Sequence, residues 1–167
     1  MDEKSRAQFT FDKVLGFISR VDTKANAVLA INTGMLAFLT VHVPEWCAFR
    51  VWYMYIALVP VILLSISFWL LYKCGYPNLS GGHSSLIYFK EIAGRTESNF
   101  ISDFMKQTDD EYLKDLLSQV HRNSEIANKK YEALKYAFIF TAVSIIPWIV
   151  SLAIFVSYNK LQIIISN

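Results

Sequence analysis

GFISRVDTKANAVLAINTGMLAFLT, residues 16–40, decides the fold. Its lower part carries Arg20, Asp22 and Lys24; beyond Lys24 it reaches Thr40 without a charge or a proline. Every three or four residues it returns to a small or polar side chain, at Gly16, Ser19, Thr23, Asn26, Ala30, Thr33, Ala37 and Thr40. That alternation is the heptad repeat of a helix packed along its length. In lipid, such side chains let helices approach closely and hydrogen-bond across the contact. The stretch therefore predicts one helix that leaves water and enters a bilayer, with the rest of the chain packed on it.

Composition supports a membrane protein. Only 18% of the 167 residues are charged while 54% are hydrophobic, against about a quarter charged in soluble domains. A net charge of +2 is too small for a polyanion binder, so no nucleic-acid polymer is expected as a partner. The N-terminus lacks the apolar run that closely follows a few basic residues in a signal peptide, and the whole chain is read as mature. Cys47 and Cys74 are expected on opposite membrane sides and unable to pair, and their spacing matches no metal motif.

An amphipathic helix is expected to begin at Phe11, where Phe11, Val14, Leu15 and Ile18 recur at helical spacing, and to continue over 11–43 into span 1. Spans 2 and 3 are predicted at 51–72 and 136–158, with Pro60 and Pro147 inside them. Each segment suits a hydrocarbon core of ~30 Å, which takes about 20 helical residues. Trp46, Trp52, Tyr53, Tyr55, Tyr72, Tyr136 and Tyr158 mark the interfaces. Basic residues gather before span 1 and between spans 2 and 3, from Lys73 to Lys135, whereas the outer hairpin has Arg50 and the tail Lys160. The positive-inside rule then puts the N-terminus and the central lobe in the cytoplasm and the C-terminus outside, periplasmic or external.

The lobe, 75–134, opens on a turn at Pro77, Asn78 and Gly81-Gly82. Residues 85–93 (SLIYFKEIA) fit either a helical turn or a short extended piece. A helix is expected over 96–106, and Thr108 with Glu111 forms a capping box for the next one. That helix should bury Leu113, Leu117, Val120, Ser124, Ala127, Tyr131 and Leu134 and run unbroken into span 3. The predicted fold is thus an all-α membrane protein, one domain over 1–167. It has three transmembrane helices and a cytosolic helical bundle, formed by extensions of the first and third spans plus a helical insert.

No catalytic motif is found: there is no G-x-S-x-G, HExxH or P-loop, and the 80–83 cluster (SGGH) lacks a following lysine. An enzyme is not expected. His42, His83 and His121 are dispersed and read as structural or solvated. Asp109, Asp110 and Glu111 complement a helix dipole.

One level invites chemistry, just inside the membrane. Arg20, Asp22, Lys24 and Asn26 lie there on the first helix, and Arg122, Lys129, Lys130 and Tyr131 on the long one. Buried polar groups need partners. Two readings stay open: an Asp22 ion pair to Lys or Arg that fixes helix register, with outward lysines on lipid headgroups, or a small anionic ligand held by Arg and Lys. Higher in the membrane, Ala30, Thr33, Ala37 and Thr40, together with Thr141, Ser144 and Ser151, are read as an oligomer seam or pore lining.

The run 20–30 (RVDTKANAVLA), the segment 85–93 and the later Ser124-x-x-Ala127-Asn-Lys-Lys-Tyr131-x-x-Leu134 resemble the Pycsar transmembrane effectors, the PycTM family. The matched motif positions are Asp22, Lys24, Ala25, Lys130 and Tyr131. The resemblance implies a bacterial antiphage effector of the inner membrane. Such an effector responds to a cyclic pyrimidine mononucleotide (cyclic UMP or cyclic CMP) made by a partner cyclase, and kills the cell by impairing the membrane. No separate cyclic-nucleotide domain is recognisable, so sensing would fall to the helical lobe. The competing reading is a three-span scaffold whose cytosolic bundle binds a protein. A constitutive small channel is a third.

Overall fold

The computed structural model describes residues 2–44, 52–77, 82 and 84–166. Expectations for Trp46, Cys47, Arg50, Asn78, Gly81, His83 and the side chains of Trp52 and Tyr53 lie outside the described residues. The order is α1 (Glu3–Val41), a 3-10 helix (Trp52–Ala57), α2 (Leu58–Gly75), α3 (Phe89–Ala93), α4 (Glu97–Lys106) and α5 (Asp109–Ser166), with no strand among the described residues. Three helices, α1, α2 and α5, are long and apolar enough to cross a membrane. The protein is an all-α, three-span membrane protein.

Local chemistry explains the boundaries. Pro60 occupies the first turn of α2, where its missing N–H costs no helical bond. Pro147 sits inside α5, and the Ser151 hydroxyl donates back to its carbonyl at 2.7 Å. Thr96 caps α4, its oxygen accepting from the Asn99 N–H at 3.3 Å. Thr108 and Glu111 form the reciprocal box at the start of α5: Glu111 accepts from the Thr108 N–H at 2.8 Å, and its own N–H donates to the Thr108 hydroxyl at 3.3 Å.

The chain divides into two compact units, Met1–Asp22 with Tyr76–Tyr131 and Thr23–Gly75 with Glu132–Asn167. In the first unit residues 84–95 form a tight elbow, of which only Phe89–Ala93 is helix. The Ser85 hydroxyl accepts from the Ile87 and Tyr88 N–H groups at 3.1 and 3.0 Å. Gln119 donates to it at 3.2 Å, and Asp115 accepts from the Leu86 N–H at 2.8 Å, which ties the elbow to α5. Gly82 has φ +79, and a Cβ there would meet Tyr88 Cδ1 at 2.5 Å. Only glycine satisfies both the left-handed backbone and the ring.

The second unit packs α1, α2 and α5 around Leu39 and Phe155, with Val61, Trp148 and Leu152 against them. Here α1 buries Ala25, Val28, Asn32, Met35 and Leu39. This corrects the expected packing stripe: Thr23, Asn26, Ala30, Thr33, Ala37 and Thr40 are exposed. The bulkier stripe fills the intramolecular core, and the small one is left on the outside. On α5 the expected stripe holds in part: Ala127 and Leu134 are buried, whereas Leu117 and Ser124 are exposed and Leu116 and Gln119 are buried in their place.

Candidate functional site

The first unit holds the Asp22–Lys130 ion pair. Lys130 Nζ donates to Asp22 Oδ1 at 2.6 Å, with side-chain exposures of 16% and 43%. Asp22 comes from α1 and Lys130 from α5, 108 residues apart. Such a charge-assisted bond, partly shielded, fixes which turn of one helix faces which turn of the other. The other sequence candidates are arranged differently. Arg122 pairs with Glu125 of its own helix at 3.0 Å. Arg20 is exposed, its guanidinium 5.8 Å from the Phe17 ring centroid. Lys129 is exposed and Tyr131 half-buried. Lys24 and Asn26 are exposed residues of the second unit. The Ser124 hydroxyl donates to its own helix, at Val120 O, 2.8 Å away.

The second unit contains a polar centre that joins all three spans. Asn32 Nδ2 of α1 donates to Ser67 Oγ of α2 at 2.8 Å. Thr141 Oγ1 of α5 donates to Asn32 Oδ1 at 2.8 Å. Ser67 Oγ in turn donates to Ala137 O at 2.9 Å and lies 3.0 Å from Thr141 Oγ1. Asn32 and Ser67 are fully buried and Thr141 is 6% exposed. With no water to take their place, these groups bond one another, because an unpaired amide in hydrocarbon is costly. Ser144 and Ser151 are also buried, their hydroxyls donating to Thr141 O and Pro147 O. Trp148 Nε1 adds a cross-helix bond to Met35 O at 2.8 Å. The Thr33 and Thr40 hydroxyls, on the exposed face of α1, bond Leu29 O and Ala37 O of their own helix.

Asn32 and Ser67 escaped the sequence reading. The signal was present, since Asn32 is the one amide in the apolar heptad of Ala25, Val28, Met35 and Leu39. Among the described residues no group of three His, Cys, Asp or Glu side chains can hold a metal.

The sequence profile of the Pycsar effector protein domain, PycTM, matches residues 6–157. The chain belongs to the PycTM family. No curated protein and no solved structure matches it. PycTM membership suggests a bacterial antiphage transmembrane effector, and the three apolar helices fit a membrane role. The PycTM domain is not a known enzyme class.

Proposed function

We propose that this PycTM protein is the killing arm of an abortive-infection system. A cyclic pyrimidine mononucleotide, cyclic UMP or cyclic CMP, is sensed by the cytosolic helical lobe. The spans of several copies then assemble and depolarise the inner membrane. The N-terminus and the lobe face the cytoplasm and the C-terminus the periplasm, an orientation that the distribution of Lys and Arg supports. The observation that carries the reading is the family match over residues 6–157, which includes α1, α2, the lobe and most of α5.

The geometry supplies parts suited to this action. Asp22–Lys130 is a register lock inside the lobe unit, and Asn32–Ser67–Thr141 is a register lock inside the span unit. Each has a discrete bonded state that a rearrangement must break. A ligand drives such a rearrangement only by binding one packing more tightly than the other. The exposed Ala30, Thr33, Ala37 and Thr40 form the contact between copies, where small side chains permit close approach. Arg20, Lys24, Arg122 and Lys129 contribute positive charge toward anionic headgroups or the ligand.

The test is co-expression with a pyrimidine nucleotide cyclase. Growth arrest that requires both genes supports the effector reading, and indifference of growth to the cyclase counts against it. The scaffold alternative draws on Ile101, Phe104 and Met105 of α4, which are 52%, 49% and 79% exposed. It predicts a soluble protein co-purifying with the chain and no toxicity.

A further inference from the structure

The first unit carries a second feature, a solvent-open cleft of about 700 Å3 between the 84–86 turn, the end of α4 and the first turns of α5. That is within the roughly 300–1,000 Å3 typical of small-molecule sites. Its wall bears charges of both signs, and the two signs differ in what they do. Asp103 is held by Arg95 at 2.7 Å. Asp115 accepts from the Leu86 N–H. Glu111 accepts from the Thr108 N–H and hydroxyl at 2.8 and 2.9 Å, bonds that hold its carboxyl below the ordinary range. Every carboxylate in the wall is thus engaged in holding the fold. Lys106 and Lys114 make no hydrogen bond or ion pair among the described residues, although Lys114, one turn along α5, attracts the Glu111 carboxylate.

The turn that closes the cleft is strained and fixed. Ser84 has φ +61, unfavourable for a residue with a Cβ, and it is held from both sides: its N–H donates to Glu91 at 3.1 Å and its carbonyl accepts from Arg95 at 3.0 Å. Such conformations persist where surrounding contacts over-determine them, and they gather at ligand clamps. The same Arg95 binds both Ser84 and Asp103, so the cleft wall is rigid before any ligand arrives.

We propose that this cleft binds a small soluble molecule carrying one phosphate, the phosphate taken by Lys106 and Lys114 and the uncharged polar remainder by Ser84 and Ser118. The wall counts Arg95, Lys106 and Lys114 against Asp103, Glu111 and Asp115, so its formal charge is zero. A polyphosphate would meet three carboxylates as well as the lysines, whereas a single anion can be served by the two ammonium groups that hold no hydrogen bond or ion pair. For its choice of probe the proposal rests on the ligand-gated reading above, and it places the ligand in the cleft rather than on the Asp22–Lys130 pair.

The experiment uses the full chain in detergent, with lysine reactivity read by mass spectrometry against rising cyclic UMP, cyclic CMP or uridine 5′-monophosphate. Binding is measured in parallel for the wild type, Lys106→Gln and Lys114→Gln. Both lysines are exposed and hold no hydrogen bond or ion pair, so these variants should melt close to the wild type. The expected result is saturable protection of Lys106 and Lys114 and an affinity at least tenfold weaker in each variant. Protection confined to Lys24, Lys129 or Lys130, or unchanged affinity in both variants, overturns the cleft and leaves the ligand-gated reading standing. If neither cyclic nucleotide binds, the ligand-gated reading falls. The cleft is then upheld if uridine 5′-monophosphate protects the same two lysines and overturned if it does not.

Discussion

Asn32 of α1 donates its side-chain amide to the hydroxyl of Ser67 in α2 at 2.8 Å, with both residues fully buried. Thr141 of α5 closes the arrangement from the third helix. Three spans are thus registered by side chains that have no apolar substitute of the same reach. The centre lies on the inward stripe of α1, opposite in character to the small stripe left exposed.

Removing the amide breaks two cross-helix bonds at once. Such bonds are worth about 0.6 kcal/mol on average and up to ~1.7 in membrane helices. Asn32→Ala is therefore predicted to destabilise the span unit by about 1–3 kcal/mol, including the cavity it leaves. Ser65→Ala, at an exposed hydroxyl bonded to its own helix, should change stability by less than about 0.5 kcal/mol. Unfolding in mixed detergent micelles compares the two, and equal losses would contradict the assigned role of Asn32.

Asp22 and Lys130 invite a charge swap. If the pair fixes register, Lys130→Ala and Asp22→Ala should each destabilise the lobe, and their double-mutant cycle should show a coupling of about 1 kcal/mol, reduced by the partial exposure of Asp22. Asp22→Lys combined with Lys130→Asp should recover part of the loss. A swap that restores stability but not the growth arrest would assign a ligand contact to one of the two.

How much of this was legible in the sequence follows from the physics of each element. The spans, the helix over 96–106 and the Thr108–Glu111 box depend on local spacing and composition, and they were readable. The family resemblance was readable too, and the match over residues 6–157 bears it out. The inward face of α1 was not. Two heptad stripes coexist there, and small hydroxyl residues suit a contact between copies as well as one within a chain. Only the arrangement of α2 and α5 selects the stripe of Ala25, Val28, Asn32, Met35 and Leu39 for the core. The elbow at 84–95 was illegible for another reason: it is held by long-range bonds to Asp115 and Gln119, which no short window of sequence reveals. Of the eight juxtamembrane candidates, the structure pairs Asp22 with Lys130 and leaves the others separately disposed.

Gly82 supplies a sharp test of the elbow. A Cβ at this position would lie 2.5 and 2.8 Å from Tyr88 ring atoms, on a backbone at φ +79. Gly82→Ala is predicted to cost about 1–3 kcal/mol, seen as faster hydrogen exchange over residues 84–95. The Tyr88 hydroxyl is buried without a hydrogen-bond partner among the described residues, so Tyr88→Phe should be neutral or mildly stabilising.

The start of α5 should respond to acid. Bonds from the Thr108 N–H and then its hydroxyl lower the Glu111 pKa from its ordinary 4.5. A depressed carboxylate pKa stabilises the folded form fully above the unfolded value, and the contribution is lost as pH falls through the folded one. Amide protection at 109–112 should therefore be constant above the ordinary Glu value of 4.5 and decline as the pH falls below it, and Glu111→Ala should remove that decline. The Asp2 carboxyl is also lowered, by its bonds with Ser5, but it lies at the start of α1, so site-resolved exchange separates the two.

The most direct test of the account is membrane potential in intact cells expressing the protein, followed with a potential-sensitive dye while a partner cyclase supplies cyclic UMP or cyclic CMP. The account predicts depolarisation within the period of cyclase induction, absent without the protein and absent with a catalytically dead cyclase. A potential that holds steady while both nucleotides accumulate and the protein remains in the membrane would contradict it.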